Sequence, residues 1–164
     1  MVNLEHPEFD EPRDHPGFRA RRARLGYQLG TERLGLSLWE IEPGEAAYPY
    51  HCHLTEEEIV IVTEGRPSLR TPAGWRELAD GEVVAFPRGE AGAHQLVNRT
   101  SEPVRFLAAS TNGEPDIVFY LDSEKVGACE RPPAGGGFRK FFRIADEVDY
   151  YEGETPPSRD AAEP

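Results

Sequence analysis

The chain has 164 residues, 38% of them hydrophobic and 29% charged, which is typical of one soluble globular domain with its own core. Its 30 acidic and 18 basic side chains give a formal net charge of −12, so nucleic acid and anionic membranes are not expected as partners. The 16 glycines and 15 prolines favour frequent tight turns over long helices.

Neither a membrane span nor an export signal is predicted. No apolar run approaches the roughly 20 residues that cross a bilayer. The N-terminus carries Glu5, Glu8 and Asp10 where a signal peptide would carry basic and then apolar residues. Cys52 and Cys129 are the only cysteines, and a chain of this length does not need a disulfide scaffold. We therefore expect a cytoplasmic protein.

Residues 1–33 are predicted to form a polar N-terminal arm and the approach to the main domain. The arm is rich in proline, histidine and acid, and His6 and His15 are expected to be exposed. A short basic run follows, composed of Arg19, Arg21, Arg22 and Arg24. In an acidic protein we expect such a run to form surface ion pairs rather than a nucleic-acid site.

Short apolar or alternating segments are the predicted strands of the main domain, residues 34–130. Most are bounded by Gly, Pro, Asn or Asp, a spacing typical of an all-β sandwich or barrel. The predicted strands are Leu34–Ile41, Glu58–Thr63, Ser68–Thr71, Trp75–Leu78, Val83–Phe86, His94–Val97, Val104–Ser110 and Ile117–Leu121. No segment has a sustained helical period, and only a weak helix is predicted, near Ile144–Val148.

Residues 131–164 are predicted to be a C-terminal extension. It opens with a flexible connector of proline and glycine at 131–137. Its end, after Tyr151, is acidic and rich in proline, and is expected to be disordered. Between them lie apolar side chains that we expect to pack on the domain or on a second subunit: Phe138, Phe141, Phe142 and Ile144.

Two histidines and a glutamate form the first candidate site. His51 and His53 are two residues apart, which puts both side chains on one face of a strand but on opposite sides of a helix. Glu58 begins an apolar run, and its face is shared by Val60 and Val62. A carboxylate that faces an apolar interior needs a partner to stay ionised, and a metal ion is such a partner.

The neighbouring side chains carry other expectations. Cys52 alternates with the histidines, so it is expected to point to the opposite face as a small buried side chain. Glu56 and Glu57 precede the strand and are expected to be solvated, although Glu57 is one register slip from the position of Glu58. His94 opens a later strand and supplies a third imidazole. The alternative is that these histidines are ordinary core or surface residues of a β barrel.

The layout resembles the cupin superfamily, which is recognised by two motifs. The residues that match the first motif are His51, His53, Glu58 and Gly65, with Gly44 one residue further from His51 than the pattern requires. The residues that match the second are Gly81, Pro87, Gly89, His94 and Asn98, with two extra residues before His94. Over residues 34–121 the resemblance implies an all-β double-stranded β-helix, the cupin jelly-roll barrel, with a metal inside it and a homodimer as the assembly.

A nearer resemblance is to small single-domain bacterial cupins of unassigned function, some of them described as sugar-phosphate isomerase-like. It rests on short segments at 49–53, 56–58, 69–72, 92–94 and 120–127. A phosphate substrate would require cationic residues in the barrel mouth, and the sequence offers Arg70, Arg88 and Arg105 for that role.

The resemblance implies one divalent transition metal per chain (Fe, Mn, Ni or Zn), with His51, His53, Glu58 and His94 as ligands. These ligands fill four of six octahedral positions and leave two open. The leading hypothesis is a metal-dependent enzyme, of dioxygenase or isomerase type, that acts on a small polar metabolite. The alternatives are a small-molecule binding or sensor module that does not turn its ligand over, and a dimer whose metal only stabilises the fold.

Overall fold

The computed structural model describes residues 2–113, 115–130 and 136–156, in which thirteen strands form three sheets. The strands are β1 (Glu11–His15), β2 (Phe18–Ala23), β3 (Leu34–Ile41), β4 (His51–His53), β5 (Glu58–Glu64), β6 (Ser68–Thr71), β7 (Gly74–Glu77), β8 (Val83–Phe86), β9 (Gln95–Val97), β10 (Val104–Thr111), β11 (Asp116–Tyr120), β12 (Lys125–Cys129) and β13 (Arg139–Arg143). A short helix, α1 (Leu25–Leu29), and two 3-10 turns, Glu90–Gly92 and Ile144–Asp146, are the helical elements of these ranges.

The largest sheet has six strands in the order β1-β2-β3-β10-β5-β8, each antiparallel to its neighbour. Its inner face follows the alternation of each strand, so Trp39 stands opposite Phe106, and Phe106 opposite Val62. Val60 and Val62 are buried on this face, as their spacing from Glu58 predicts.

The other two sheets have the orders β13-β12-β11-β4 and β7-β6-β9. Strands distant in the chain are neighbours, as where β11 pairs with β4, so the chain crosses repeatedly between sheets. This jelly-roll arrangement confirms the predicted all-β fold class. The main core between the sheets is apolar and aromatic, and its largest members are Trp39, Ile41, Tyr48, Leu69, Leu78, Phe86, Leu96 and Phe106.

The predicted polar arm contains more structure than the sequence indicated. Its strands β1 and β2 form a hairpin that turns at Gly17, where φ is +84°, a value that favours glycine. β2 then pairs with β3, so the hairpin extends the main sheet. The basic run forms ion pairs as expected, for example between Arg19 and Asp14 and between Arg24 and Asp10.

The C-terminal part of the described chain adds β13 to the edge of the four-stranded sheet. All five residues of β13 are exposed, and exposed Phe138 and Ile144 flank the strand. The predicted weak helix is a 3-10 turn at Ile144–Asp146. The predicted connector at 131–137 lies largely, and the end of the predicted disordered tail wholly, outside the described residues.

Among the described residues, no helix reaches the length and apolarity that crossing a membrane requires.

Candidate metal centre

His51 and His94 stand opposite each other in an isolated antiparallel bridge. The N–H of His94 donates to the carbonyl of His51 at 2.9 Å, and the N–H of His51 donates to the carbonyl of His94 at 3.2 Å. His53 follows His51 on the same face of β4, as the two-residue spacing predicts. All three rings are buried, and ring centroids lie 4.7 Å apart for His51 and His94 and 4.8 Å apart for His51 and His53.

The two extra residues before His94 are accommodated in a three-residue 3-10 turn and do not displace the histidine. The turn, Glu90–Gly92, begins after Gly89, whose N–H donates to the carbonyl of His53 at 2.7 Å. At Gly92 a Cβ would overlap the carbonyl oxygen of Pro87, so the close approach of the two backbones requires glycine. The turn therefore brings His94 back onto β4.

Each of the three imidazoles uses its Nδ1 in a hydrogen bond to a group that can only accept. His51 Nδ1 donates to the carbonyl of Pro49 at 2.9 Å, and His94 Nδ1 to the carbonyl of Gly92 at 2.9 Å. His53 Nδ1 donates to the carboxylate of Asp116 at 2.7 Å. In the neutral form of each ring the proton is therefore on Nδ1, and Nε2 carries a lone pair.

The Nε2 atoms face one another. Those of His51 and His53 are 3.0 Å apart, and Nε2 of His94 is buried without a hydrogen-bond partner among the described residues. Two lone pairs at this distance repel unless a cation or proton lies between them, and a buried acceptor without a partner is costly. A metal ion satisfies all three nitrogen atoms, so the residues present fit a bound transition metal.

Glu58 adds a carboxylate to the same point. Its Oε2 lies 3.6 Å from Nε2 of His53, and its Oε1 lies 3.6 Å from Nε2 of His94, which is within ion-pair range but too long for a hydrogen bond. Burial by itself would raise the pKa of Glu58, but the imidazoles of His94, His53 and His51 outweigh it and hold the pKa at about 2. Glu58 is thus ionised at neutral pH, as a metal ligand must be.

The protonation state of His51 also suits a metal. Burial, together with the neighbouring rings of His94 and His53, holds the pKa of His51 well below its ordinary value of 6.5. Burial lowers the pKa of His53 as well, but the hydrogen bond to Asp116 and the charge of Glu58 outweigh it, so that pKa is raised. His51 is therefore neutral at pH 7 and offers its Nε2 lone pair.

Behind His53 lies a second group of potential ligands, His53, Glu56 and Asp116, whose donor atoms all lie within 4.8 Å of one another. Glu56 is 2% exposed and Asp116 0%. This group can hold a cation, but the hydrogen bond from His53 Nδ1 occupies Asp116, which also accepts one from Thr55 Oγ1 at 2.9 Å. These contacts indicate that Asp116 fixes the orientation of His53 through its hydrogen bond to Nδ1.

Stacked rings hold two of the imidazoles from the sides. Phe86 lies nearly parallel to His94, with centroids 3.9 Å apart and an angle of 10° between the planes. Tyr120 stacks on His51 at 6.0 Å and 23°. The edge of Tyr48 points at both rings, at 4.9 Å from His51 and 5.5 Å from His94. Rings packed in this way have few alternative rotamers, so the nitrogen atoms are preorganised.

A cavity of about 280 Å³ opens beside these residues. His51, His53 and Glu58 line it, together with Trp39 and Tyr48. Its size is just below the usual range for sites that bind drug-sized ligands, so it suits a small metabolite. A small molecule in this cavity could reach the open coordination positions of a metal bound by these residues.

The structure corrects one expectation around the site and answers a question about three arginines that the sequence left open. Glu56 was expected to be solvated, but it is buried beside His53 because the turn before β5 folds inward. Arg70, Arg88 and Arg105 were the cations offered for the barrel mouth, and none of them lines the cavity. Arg70 pairs with Asp122 instead, and Arg105 pairs with Glu40.

Other expectations near the site are confirmed, and some residues were missed. Cys52 is fully buried on the opposite face of β4, and Glu57 is exposed. Asp116 and Tyr48 were missed. Asp116 directly precedes the predicted strand Ile117–Leu121 and has the parity of Val118 and Tyr120, which is the signal that could have found it. Asn98, which matches the end of the second motif, has a structural role, since its Nδ2 donates to the carbonyl of Ile41 at 3.0 Å.

Comparisons with known proteins agree with this geometry. Residues 37–110 match the cupin domain family. A crystal structure of a cupin-superfamily sugar phosphate isomerase from Silicibacter pomeroyi is 27% identical, with a TM-score of 0.75, and the match covers 93% of this chain and 98% of that one. A comparison with curated protein sequences finds no match.

Two further solved structures are similar. A protein from Acidithiobacillus ferrooxidans, provisionally described as a sugar phosphate isomerase, is 26% identical with a TM-score of 0.74, and the match covers 91% of this chain and 95% of that one. The polyketide cyclase RemF from Streptomyces resistomycificus is 27% identical with a TM-score of 0.57, over 68% of this chain and 78% of that one.

Proposed function

Because the chain is a cupin-superfamily protein, we propose that it binds one divalent transition metal through His51, His53, Glu58 and His94 and isomerises a small polar metabolite there. The metabolite we propose is a sugar phosphate or a compound of the same kind. This class is supported by the similarity of almost the whole chain to two structures described as sugar phosphate isomerases.

One observation gives the main support for the proposed metal site. The lone pairs of His51 and His53 face each other at 3.0 Å while both Nδ1 atoms are used as donors elsewhere. An ordinary buried histidine pair would turn one ring so that an N–H meets a lone pair. The backbone carbonyl of Pro49 and the carboxylate of Asp116 oppose such a turn, so the cluster is built for a cation.

An isomerase of hydroxy-carbonyl compounds must hold adjacent oxygen atoms of its substrate and keep bulk water away while a proton moves between carbons. A bound divalent ion would supply polarisation of the substrate oxygens. Phe86 and Tyr48 shield the cluster from solvent and keep its imidazoles in place. Burial raises the pKa of the Tyr48 phenol well above 10.0, so this hydroxyl stays protonated and acts as a hydrogen-bond donor rather than a base.

A second candidate is oxidation by dioxygen. The four proposed ligands leave two octahedral positions open, which is the arrangement that an oxygen-activating iron site uses. A third candidate is a binding or sensor module, in which the same cavity captures a ligand without turnover. The metal separates the first two, because iron favours oxygen chemistry whereas zinc or manganese favours isomerisation or binding.

The test uses purified protein loaded in turn with Fe(II), Mn(II), Ni(II) and Zn(II). Each form is incubated with a panel of aldose and ketose phosphates of three to six carbons, with conversion followed by NMR and oxygen uptake by electrode. Interconversion of aldose and ketose without oxygen uptake supports the isomerase, and oxygen uptake supports the oxidase. Saturable binding of a sugar phosphate with neither interconversion nor oxygen uptake supports the binding module.

We also propose a cytoplasmic homodimer. Exposed apolar side chains follow one another on and after the edge strand β13: Phe138, Phe141, Phe142, Ile144 and Val148. Several exposed large apolar side chains near one sheet edge are commonly covered in a subunit interface, and a strand at a sheet edge offers backbone groups to a second copy. A cytoplasmic location is supported by two reduced, buried cysteines, Cys52 and Cys129, which form no disulfide.

A further inference from the structure

Arg22, from the N-terminal hairpin, shares one face of the main sheet with the metal cluster. In the register of that sheet Arg22 stands opposite Trp39, Trp39 opposite Phe106, and Phe106 opposite Val62. Glu58 is four residues before Val62 on β5, so its side chain points to the same side. Arg22 and Glu58 therefore face the same cavity, with strands β3 and β10 between them.

Trp39 is a platform for Arg22 and for a second arginine, Arg13. The guanidinium carbon atoms of Arg13 and Arg22 lie 4.6 Å and 5.1 Å from the centre of the indole ring. Arg22 Nε also donates to Ser37 Oγ at 2.9 Å. Stacking occupies the flat faces of guanidinium groups and not the N–H donors along their edges, so the pair is oriented but can still bind an anion.

A carboxylate of the same hairpin already bridges the two arginines. Glu11 Oε1 lies 3.3 Å from Arg13 Nη2, and Glu11 Oε2 lies 3.3 Å from Arg22 Nη1. Charge-assisted hydrogen bonds are usually about 2.7–2.9 Å long, so both contacts are loose. The pair thus shows the geometry for one oxyanion, with Glu11 in the place that a ligand oxyanion would take.

Tyr48 lies between the arginine pair and the metal cluster. Its hydroxyl is buried and has no hydrogen-bond partner among the described residues, although the residue lines the cavity. The centre of its ring lies 5.6 Å from that of Trp39, on which the arginines rest, and 4.9 Å from that of His51. A buried donor without a partner is costly, so an oxygen of a ligand in the cavity would be a suitable acceptor for this hydroxyl.

The charges of the cavity differ from those of the rest of the chain. Its lining includes Arg13, Arg22, Arg24 and Arg139, and the same number of glutamates, Glu11, Glu56, Glu58 and Glu130. The whole chain has a net charge of −12, so cations are concentrated at the cavity. A divalent ion at the cluster would make the lining positive overall, which attracts small anions.

We propose that Arg13 and Arg22, held on Trp39, bind the phosphate group of a small phosphate monoester whose opposite end reaches the metal cluster. The hydroxyl of Tyr48 donates a hydrogen bond to an oxygen in the middle of the ligand. A phosphate monoester fits better than a carboxylate because it offers three terminal oxygens and nearly two negative charges to two guanidinium groups. The metal end of the ligand rests on the proposed function, whereas phosphate binding by the arginine pair does not.

Isothermal titration calorimetry tests the subsite with ribose 5-phosphate, ribose, ribonate and inorganic phosphate as probes. Arg13→Gln and Arg22→Gln are each expected to weaken binding of ribose 5-phosphate about tenfold or more, since each removes charged donors from the phosphate. Glu11→Gln is expected to strengthen it, because a competing carboxylate is lost. Arg70→Gln, outside the cavity, is the matched control and should leave binding unchanged.

The arginine variants are expected to weaken phosphate binding and Glu11→Gln to strengthen it. These opposite effects distinguish a ligand site from a structural ion pair. If the three residues only stabilised the hairpin, Glu11→Gln would lower the melting temperature and would not improve phosphate binding; that result overturns the proposal. Equal affinity for ribose and ribose 5-phosphate overturns it too, and equal affinity for ribonate overturns the choice of phosphate. If an arginine variant does not fold, Tyr48→Phe keeps the packing and should weaken ribose 5-phosphate several-fold.

Inorganic phosphate titrated into chelator-treated protein distinguishes this subsite from the metal site. Binding that persists without metal and is lost in Arg22→Gln supports the subsite even if the chain proves to bind no metal. The wild-type protein could instead bind metal and show no phosphate binding that depends on Arg13 or Arg22. That result overturns the subsite but not the proposed function.

Discussion

Nδ1 of His53 lies 2.7 Å from Oδ2 of Asp116, although the two residues are 63 positions apart in the chain. The contact forms because β4 pairs with β11, in which His53 stands opposite Val118, two residues after Asp116. It fixes the proton of His53 on Nδ1 and directs Nε2 towards His51 and Glu58. The strength of the proposed metal site therefore depends on a carboxylate that is not itself among the proposed ligands.

Asp116→Asn is expected to reduce metal affinity about 10- to 100-fold without abolishing binding, because a neutral amide orients His53 less firmly. Competition against a chromophoric chelator measures the change. Asp122→Asn, which alters an exposed ion pair with Arg70, is the control and should bind metal like the wild-type protein. Equal affinity in Asp116→Asn and the control would show that Asp116 does not orient His53.

His51→Ala is expected to lose nearly all bound metal, since it removes one of the converging nitrogen atoms and leaves a gap at the bridge to His94. Elemental analysis of wild-type protein should give about one metal per chain. His15→Ala, an exposed histidine of the hairpin, is the matched control. Unchanged metal content in His51→Ala would remove it from the ligand set.

Gly92→Ala is expected to lower both stability and metal content. The added Cβ overlaps the Pro87 carbonyl oxygen, and relieving this overlap must shift the turn that carries His94. Overpacking of this kind typically costs about 1–3 kcal/mol of unfolding free energy. Urea unfolding and elemental analysis measure the two effects, with Ala91→Ser, an exposed change in the same turn, as the control. A wild-type metal content would show that the turn does not position His94.

Glu40→Gln is expected to destabilise the fold at pH 7 by about 1–3 kcal/mol, because buried Glu40 accepts hydrogen bonds from Arg21 and Arg105 that are partly screened by solvent. Burial would raise the pKa of Glu40, but the two arginines outweigh it and hold the pKa below 4.5. Ionised Glu40 therefore stabilises the folded chain above pH 4.5, and this contribution is lost as pH falls through the lowered pKa.

The difference in unfolding free energy between wild type and Glu40→Gln should accordingly shrink as the pH falls below 4.5, since protonated Glu40 resembles Gln. Urea unfolding at a series of pH values measures it. Glu64→Gln removes a more exposed partner of Arg105 and should have a small effect at every pH. A difference that is independent of pH would mean that the charge of Glu40 does not contribute.

Phe142→Glu is expected to convert the proposed homodimer into a monomer, because a charge placed in an apolar interface must be desolvated. Phe142 is 53% exposed on the edge strand β13. Sedimentation velocity measures the mass in solution, and Tyr150→Glu, a change at a more exposed aromatic residue further along the chain, is the control. A monomeric wild-type protein, or a variant that remains dimeric, would contradict this interface.

Most strands of the barrel could be predicted from the sequence because turn residues bound them and most have one buried face. Leu34–Ile41, Ser68–Thr71 and Val83–Phe86 have the predicted bounds, and the alternation of Glu58 with Val60 gave the direction of the carboxylate. The strands of the N-terminal hairpin, β12 and β13 were not predicted. The residues of the hairpin and of β13 are largely charged or exposed, so no hydrophobic period marks them, and pairing with β3 and β12 is what makes them strands.

The sequence by itself determined that His51 and His53 share one face of a strand and that Glu58 points to the same side as Val60 and Val62, because side-chain direction along a strand depends only on the parity of neighbouring positions. It could not determine which groups surround them. Asp116 behind His53, Arg13 and Arg22 over Trp39, and the turn that returns His94 to His51 are set by strand pairings between distant segments. Local pattern fixes which way a side chain points, but only the register of the folded sheets decides what it meets there.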